Sequence, residues 1–372
     1  MQSDNAEYGP AAASVINFDT LVVSGVYQGY NATGAPVRNH QAVVWHVETS
    51  RAYQMAITQR TGESGSIARH WFRYRTLADW DEWQEVATTE PAYVEPTIVA
   101  TAGIIKHISN LHGVPDSILY SKAPTTQIAP ASLTKVLTAI TAIRTLENLH
   151  VDADKYEISV ITDDEVGGSG SNVAHGDVLS FTDAMKNMFL PSSNNTATAL
   201  ARNVGALIVA DEDAAIDPLT RFITEMNCVA AALGLSNSTF KNATGLYAEG
   251  QVSSVSDMSL LLVEASGLTG ITEVWGLESA KITIIGPNIR TEKIIHSVSM
   301  ISDYDVLGGK SGTLIPGIYH ACLLVSAPKG NRIVAVVMQS ASHQSRYSDI
   351  RTMIDAVTCG FDWPVVIPTA RS

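Results

Sequence analysis

From Leu133 onward, apolar residues recur at three- and four-residue intervals: Leu133, Val136, Leu137, Ile140, Ile143 and Leu146. That spacing commits the stretch to a helix buried along one face. At its head stands Pro130-Ala131-Ser132-Leu133-Thr134-Lys135, which sets a hydroxyl and an amine three residues apart on one helical face. A serine hydroxyl is a poor nucleophile until a base takes its proton. A lysine amine becomes such a base when burial or a second cation lowers its pKa. Backbone N–H groups at the helix head favour developing negative charge. Alone, Ser-x-x-Lys is a common pattern, and its plain reading is a helical turn with a solvated lysine. Its weight comes from the company it keeps further along the chain.

The 372 residues suffice for two domains. Charged residues make up 16% and hydrophobic ones 45%, a balance that suits a well-packed soluble protein. A net charge of −13 argues against nucleic acid as a partner, because a polyanion gains nothing from counterion release on such a surface. Cys228, Cys322 and Cys359 are far apart and odd in number, which reads as free buried thiols, not a disulfide framework or a metal site. The histidines, His107 and His112 included, form no ligand set, and no cofactor or metal is expected. Met1-Gln2-Ser3-Asp4-Asn5-Ala6-Glu7 is not a secretory signal, and no stretch has the length of a membrane anchor.

Residues 9–88 read as a small antiparallel β unit between an N-terminal tail, 1–8, and a linker, 89–97. Alternating segments at Leu21-Val22-Val23, 41–47, 52–58 and 71–75 are separated by turn residues, as at 31–36 and 61–66. Trp45, Trp71, Trp80 and Trp83 lie here. Ser24-Gly25-Val26-Tyr27, Asn31-Ala32-Thr33-Gly34-Ala35-Pro36 and Arg75 with Trp80-x-x-Trp83-Gln84-Glu85-Val86 resemble the knob-like domains of phage tail fibres and pyocin tails. That resemblance implies surface attachment, virion tail partners and a virion-associated location.

Further along, Ser180 caps a helix that Pro191 ends, and strands at 319–326 and 332–339 form a terminal hairpin ahead of an amphipathic helix carrying Ile350, Met353, Ile354 and Val357. Pro191-Ser192-Ser193-Asn194-Asn195 lies between two apolar helices, where a polar loop can present a hydroxyl and an amide inward. Lys310-Ser311-Gly312-Thr313, just before the hairpin, offers a cation, a hydroxyl and a position without a side chain against which substrate backbone can lie.

Ser-x-x-Lys, Ser-x-Asn and Lys-Ser-Gly in that order resemble the three signatures of penicillin-binding proteins and serine β-lactamases. Ala131-Ser132-Leu133-Thr134-Lys135 and Asn242-Ala243-Thr244-Gly245-Leu246, with Gly250-Gln251-Val252-Ser253-Ser254, are most similar to the low-molecular-mass D-alanyl-D-alanine carboxypeptidases. The resemblance covers residues 98–364, followed by a tail, 365–372. It implies an α/β (α+β) transpeptidase-like domain, with an antiparallel sheet flanked by helices plus an all-helical subdomain.

The resemblance also assigns roles. Ser132 is the nucleophile and Lys135 its base, Ser192 passes a proton to the leaving group, and Asn194 orients Lys135 and the substrate amide. Lys310 supplies positive potential; Ser311, Gly312, Thr313 and Arg346 bind substrate; backbone N–H groups of Ser132 and Thr313 form the oxyanion hole. Register selects Ser192 and Asn194 over Ser193 and Asn195. Ser311 for threonine, Ser193 for glycine and Tyr247 for an acidic residue are departures that leave deacylation and substrate preference open. The implied partners are peptidoglycan stem peptides, with β-lactams as covalent inhibitors. A β-lactamase, esterase or D-aminopeptidase of the same superfamily, or a non-catalytic wall-binding adhesin, stands as the alternative.

Overall fold

The computed structural model describes residues 5–6, 12–14, 25–30, 40–47, 53–60, 69–76, 79–80, 84–86, 94–109, 116–212, 215–299, 304–314 and 317–360. The chain divides into two compact units, Met1–Ala92 and Tyr93–Ser372.

In the first unit, strands Asn5–Ala6, Ala12–Ser14, Gly25–Tyr30, His40–Val47, Tyr53–Arg60, Arg69–Thr76, Asp79–Trp80 and Gln84–Val86 (β1–β8) form one sheet in chain order from β1 to β7. Strand β8 pairs with β6. The pairing is antiparallel except between β2 and β3, which run parallel, so the unit is not the purely antiparallel one expected. Asn5–Ala6, assigned by sequence to a tail, is a strand because it pairs with Ala12–Ala13. The cross-strand partners Gln54 and Arg73 are both buried, and Arg73 Nε donates to Gln54 Oε1 at 2.9 Å. Leu21-Val22-Val23, the turn residues at 31–36 and 61–66, Trp83 and the tail at 365–372 lie outside the described residues.

The second unit is built on a five-stranded antiparallel sheet. Its strands are Ala102–Ile108, Ser117–Lys122, Val306–Leu314, Ile318–Ala327 and Asn331–Ser340 (β9, β10 and β15–β17), in the order β10-β9-β17-β16-β15. Two smaller hairpins, Glu157–Ser159 with Val178–Ser180 (β11, β12) and Ser279–Ile284 with Arg290–Ile295 (β13, β14), lie outside it. Helices are Thr134–Asn148, Phe181–Phe189, Asn194–Glu212, Pro218–Ala232, Val255–Ala265, Thr269–Thr272 and His343–Gly360 (α1–α7). Among the described residues, no helix is long and apolar enough to cross a membrane.

Side-chain alternation along β17 explains the layers. Ile333, Ala335 and Val337 join one core with Tyr347, Ile350, Met353 and Ile354 of α7. Val334, Val336 and Met338 join the other, with Leu133, Val136, Leu137 and Ile140 at the head of α1 and Met258 and Leu262 of α5. Successive side chains of a strand point to opposite faces, so a strand covered on both faces must be apolar throughout. The sheet is therefore sandwiched between α7 and the helical body that carries α1 and α5. The caps follow the sequence: Ser180, Asp217 and Ser254 side chains accept backbone N–H bonds from Asp183, Thr220 and Asp257 at the heads of α2, α4 and α5.

Entry into this unit is tied down early, since Pro96, Ile98 and Ala100 are buried and the Asp349 carboxylate of α7 accepts from the N–H groups of Val99 and Ala100 at 2.9 and 3.0 Å. Cys322 is buried, as expected, but Cys228 is exposed because it falls on the outer face of α4. The side chain of Cys359, and His112, lie outside the described residues.

Candidate active site

Ser132 does not sit on α1 itself. It lies in a single 3-10 turn, Ala131–Leu133, that runs directly into α1. The turn starts from a left-handed residue, Ala131 at φ +50°, a conformation that costs a non-glycine residue about 1–3 kcal/mol and persists only where neighbours enforce it. Three neighbours do so. Gly245, at φ +85°, packs so closely that a Cβ there would lie 1.8 Å from the Ala131 carbonyl oxygen. A Cβ at Gly312 of β15 would meet Ala131 Cβ at 3.1 Å and the Pro130 carbonyl oxygen at 3.3 Å. His320 Nδ1 accepts from the Gln339 N–H, which leaves Nε2 to donate to the Ala129 carbonyl at 2.8 Å. Burial pushes the His320 pKa down to about 4, keeping the ring neutral in this bridging role. The sequence reading gave Gly312 to substrate approach. The structure gives its missing side chain another cause, because protein already fills that space.

Lys135 is fully buried. Its Nζ lies 3.0 Å from Ser132 Oγ and donates to Asn194 Oδ1 and to the Thr244 carbonyl, each at 2.7 Å. Asn194 Nδ2 donates to the Gly167 carbonyl at 2.9 Å, which turns the amide oxygen toward the lysine. The Thr244 carbonyl is aimed by a local turn in which Asn242 Oδ1 accepts from the N–H groups of Thr244 and Gly245. Burial, and secondarily the nearby Lys310, hold the Lys135 pKa well below the usual lysine value. A neutral amine has two N–H donors and one lone pair. The two partners that can only accept take both hydrogens, so the lone pair is left facing the Ser132 hydroxyl.

Ser192, also left-handed at φ +65°, is nearly buried, and its Oγ accepts from Lys310 Nζ at 2.8 Å. The neighbouring pair does other work. Ser193 Oγ accepts from the Thr196 N–H at the head of α3, and Asn195 bridges the Gly167 N–H and the Val173 carbonyl. Of the two registers, it is Ser192 and Asn194 whose side chains reach the lysines. The glycine-rich run at 166–171 forms a loop. It lies on this turn, with the Ser169 carbonyl accepting from the Asn194 N–H.

Lys310 is fully buried in β15, and its Nζ also donates to the Ser311 carbonyl at 2.8 Å. Burial brings its pKa down to about 7, with Arg346 adding to the shift. Ser311 is nearly buried and Thr313 is exposed toward solvent. Arg346 sits behind them at 2% exposure, its Nη1 donating to Thr313 Oγ1 at 3.1 Å and to the carbonyls of Gly312 and His320 at 3.3 Å. Its guanidinium lies 4.7 Å from the centroid of the Tyr347 ring.

The fold thus gathers Lys135 with Ser132 and Asn194 into one hydrogen-bonded group and Lys310 with Ser192 into a second, near enough that Lys310 helps to lower the Lys135 pKa, with Ser311, Gly312, Thr313 and Arg346 beside them on or behind β15. The Thr244 carbonyl joins the Lys135 group and His320 braces the chain just before Ser132; both were missed by residue-type reasoning. A carbonyl carries no sequence signal of its own. The available clue was the Asx-Gly turn in Asn242-Ala243-Thr244-Gly245.

Residues 112–342 match the family described as D-alanyl-D-alanine carboxypeptidase (Peptidase_S11). The D-alanyl-D-alanine carboxypeptidase DacF of Bacillus subtilis is 29% identical over 64% of this chain, which spans 58% of that relative's length. The D-alanyl-D-alanine carboxypeptidase of Streptomyces sp. strain K15 is 28% identical over 71% of this chain and 88% of its own. The crystal structure of the Streptomyces K15 DD-transpeptidase superposes with a TM-score of 0.62 and 23% identity, covering 71% of this chain and 98% of that one. The structural match extends to the sheet-and-helix fold.

Proposed function

Since the chain belongs to the D-alanyl-D-alanine carboxypeptidase family, we propose that it is a serine DD-peptidase acting on peptidoglycan stem peptides through an acyl-enzyme. The observation that carries the reading is the buried Lys135 amine, 3.0 Å from Ser132 Oγ with both of its other contacts to acceptors. In the proposed reaction Ser132 Oγ attacks the carbonyl of the penultimate D-alanine while its proton passes to Lys135. The developing oxyanion is held by the backbone N–H groups of Ser132 and Thr313. The C–N bond then breaks, and the leaving D-alanine amine takes a proton by way of Ser192. Water next adds to the acyl ester and releases the shortened peptide, restoring the Ser132 hydroxyl. Asn194 orients Lys135 and the substrate amide. Ser311 and Thr313 receive the terminal carboxylate, with Lys310 and Arg346 supplying positive potential.

Incubation with a stem pentapeptide ending in D-Ala-D-Ala tests this. Release of one D-alanine per peptide is expected, and an untouched pentapeptide contradicts the reading. The pH dependence of acylation carries a further expectation. Lys135 acts only when neutral, so the rate falls as pH drops through its lowered pKa. Lys310 supplies its potential only when charged, so the rate also falls as pH rises through about 7. A bell-shaped profile measured by stopped-flow acylation is the expected result; a rate that keeps its full value at low pH would exclude Lys135 as the base.

For the first unit we propose surface attachment on a tail-type particle. The support is the resemblance of its residues, and the family match at 112–342 does not reach it. The chain should then be found by mass spectrometry in purified particles of its source, and its absence there would remove the idea.

A further inference from the structure

A hydroxyl has one proton to give and two lone pairs. If Ser311 is to donate to a substrate carboxylate, something must supply the hydrogen bond that its oxygen accepts. Ser297, on the segment after β14, lies 2.9 Å from it, oxygen to oxygen. We propose that Ser297 is a positioning residue for carboxylate recognition: it donates to Ser311 Oγ and thereby turns the Ser311 proton outward to the terminal carboxylate of the peptide. The inference rests on the peptidase reading and names one more residue for it.

The segment is held well enough to do this. The Ser297 N–H donates to the Leu190 carbonyl at 2.7 Å, two residues before Ser192. Its own carbonyl accepts from the buried Tyr347 hydroxyl at 3.3 Å. The flanking residues His296 and Val298 are buried. His296 Nδ1 accepts from the Val298 N–H at 2.9 Å, so its Nε2 donates to the Trp275 carbonyl at 3.0 Å. The backbone at Ser297 is therefore fixed without its side chain. The hydroxyl adds nothing to those bonds, and its contact is with Ser311. Through Leu190 and Tyr347 the same residue joins the end of the loop that carries Ser192 to the helix that carries Arg346. A hydroxyl pair whose outer member meets an anion is polarised along its length, which strengthens both bonds.

The test compares acylation by a thioester donor that ends in a free carboxylate with acylation by the methyl ester of the same donor. In the wild type the free acid is expected to be preferred. Ser297→Ala should lower that preference about three- to tenfold, the worth of one hydrogen bond, chiefly through KM. Ser297→Thr, which keeps the hydroxyl, should restore it. An equal loss on both donors, or no restoration by threonine, assigns Ser297 a structural role only and overturns the inference. An unchanged preference in Ser297→Ala overturns it as well. If the wild-type protein acylates with neither donor, the peptidase reading itself has failed, so the two failures are distinguishable.

Discussion

Ser132→Ala is expected to abolish acylation, with a loss of about 10⁴-fold or more, while the protein stays folded. The substitution removes one half-buried hydroxyl from a turn whose shape is set by its surroundings. Gly245, Gly312 and the His320 bridge to Ala129 act on the residues from Ala129 to the backbone N of Ser132, and none of them uses the Ser132 side chain. Lys135 keeps Asn194 Oδ1 and the Thr244 carbonyl as partners. The variant should therefore unfold within about 1 kcal/mol of the wild type and still bind stem peptide non-covalently. Stopped-flow acylation together with thermal unfolding separates these expectations. A variant that still turns over at more than a few per cent of the wild-type rate would place the nucleophile elsewhere.

Lys135→Met should cost about 10²- to 10⁴-fold in the acylation rate, the range typical of losing a general base. Here the structural consequence differs. Methionine fills most of the volume but leaves Asn194 Oδ1 and the Thr244 carbonyl without their donor in a buried site, which costs about 1–3 kcal/mol for each group so stranded. A lower melting temperature is therefore part of the expected result, and the rate must be read at a temperature where the variant is folded. The pH profile provides the cleaner discrimination. The acid limb assigned to Lys135 should vanish in this variant, even though the overall rate is low. Persistence of that limb would mean that another group titrates there.

The helical periodicity from Leu133 to Leu146 and the apolar strands at 319–326 and 332–339 were legible in the sequence because burial on a helix face or on both sheet faces dictates residue type directly. The three motifs were legible for the same kind of reason, since each needs particular side chains. What stayed hidden was contributed by the backbone or by distant packing. The carbonyl of Thr244 is presented by a turn whose signature, Asn242 and Gly245, could be seen but not aimed. The role of Gly312 could not be assigned until Ala131 was found packed against it. Arg346 could be matched by position, yet its place behind Thr313 follows from the packing of α7 on β16 and β17. The N-terminal unit shows the reverse problem. Alternation predicted β4, β5 and β6 but not the other strands, and the parallel step between β2 and β3 depends on which strand pairs with which, on which periodicity is silent.

Exposing the intact wild-type protein to labelled penicillin, digesting it and sequencing the labelled peptide tests the central claim most directly. A hydroxyl made nucleophilic by a neutral buried lysine predicts one stoichiometric adduct, mapped to Ser132. No adduct, or an adduct on Ser192 or any other residue, would contradict it.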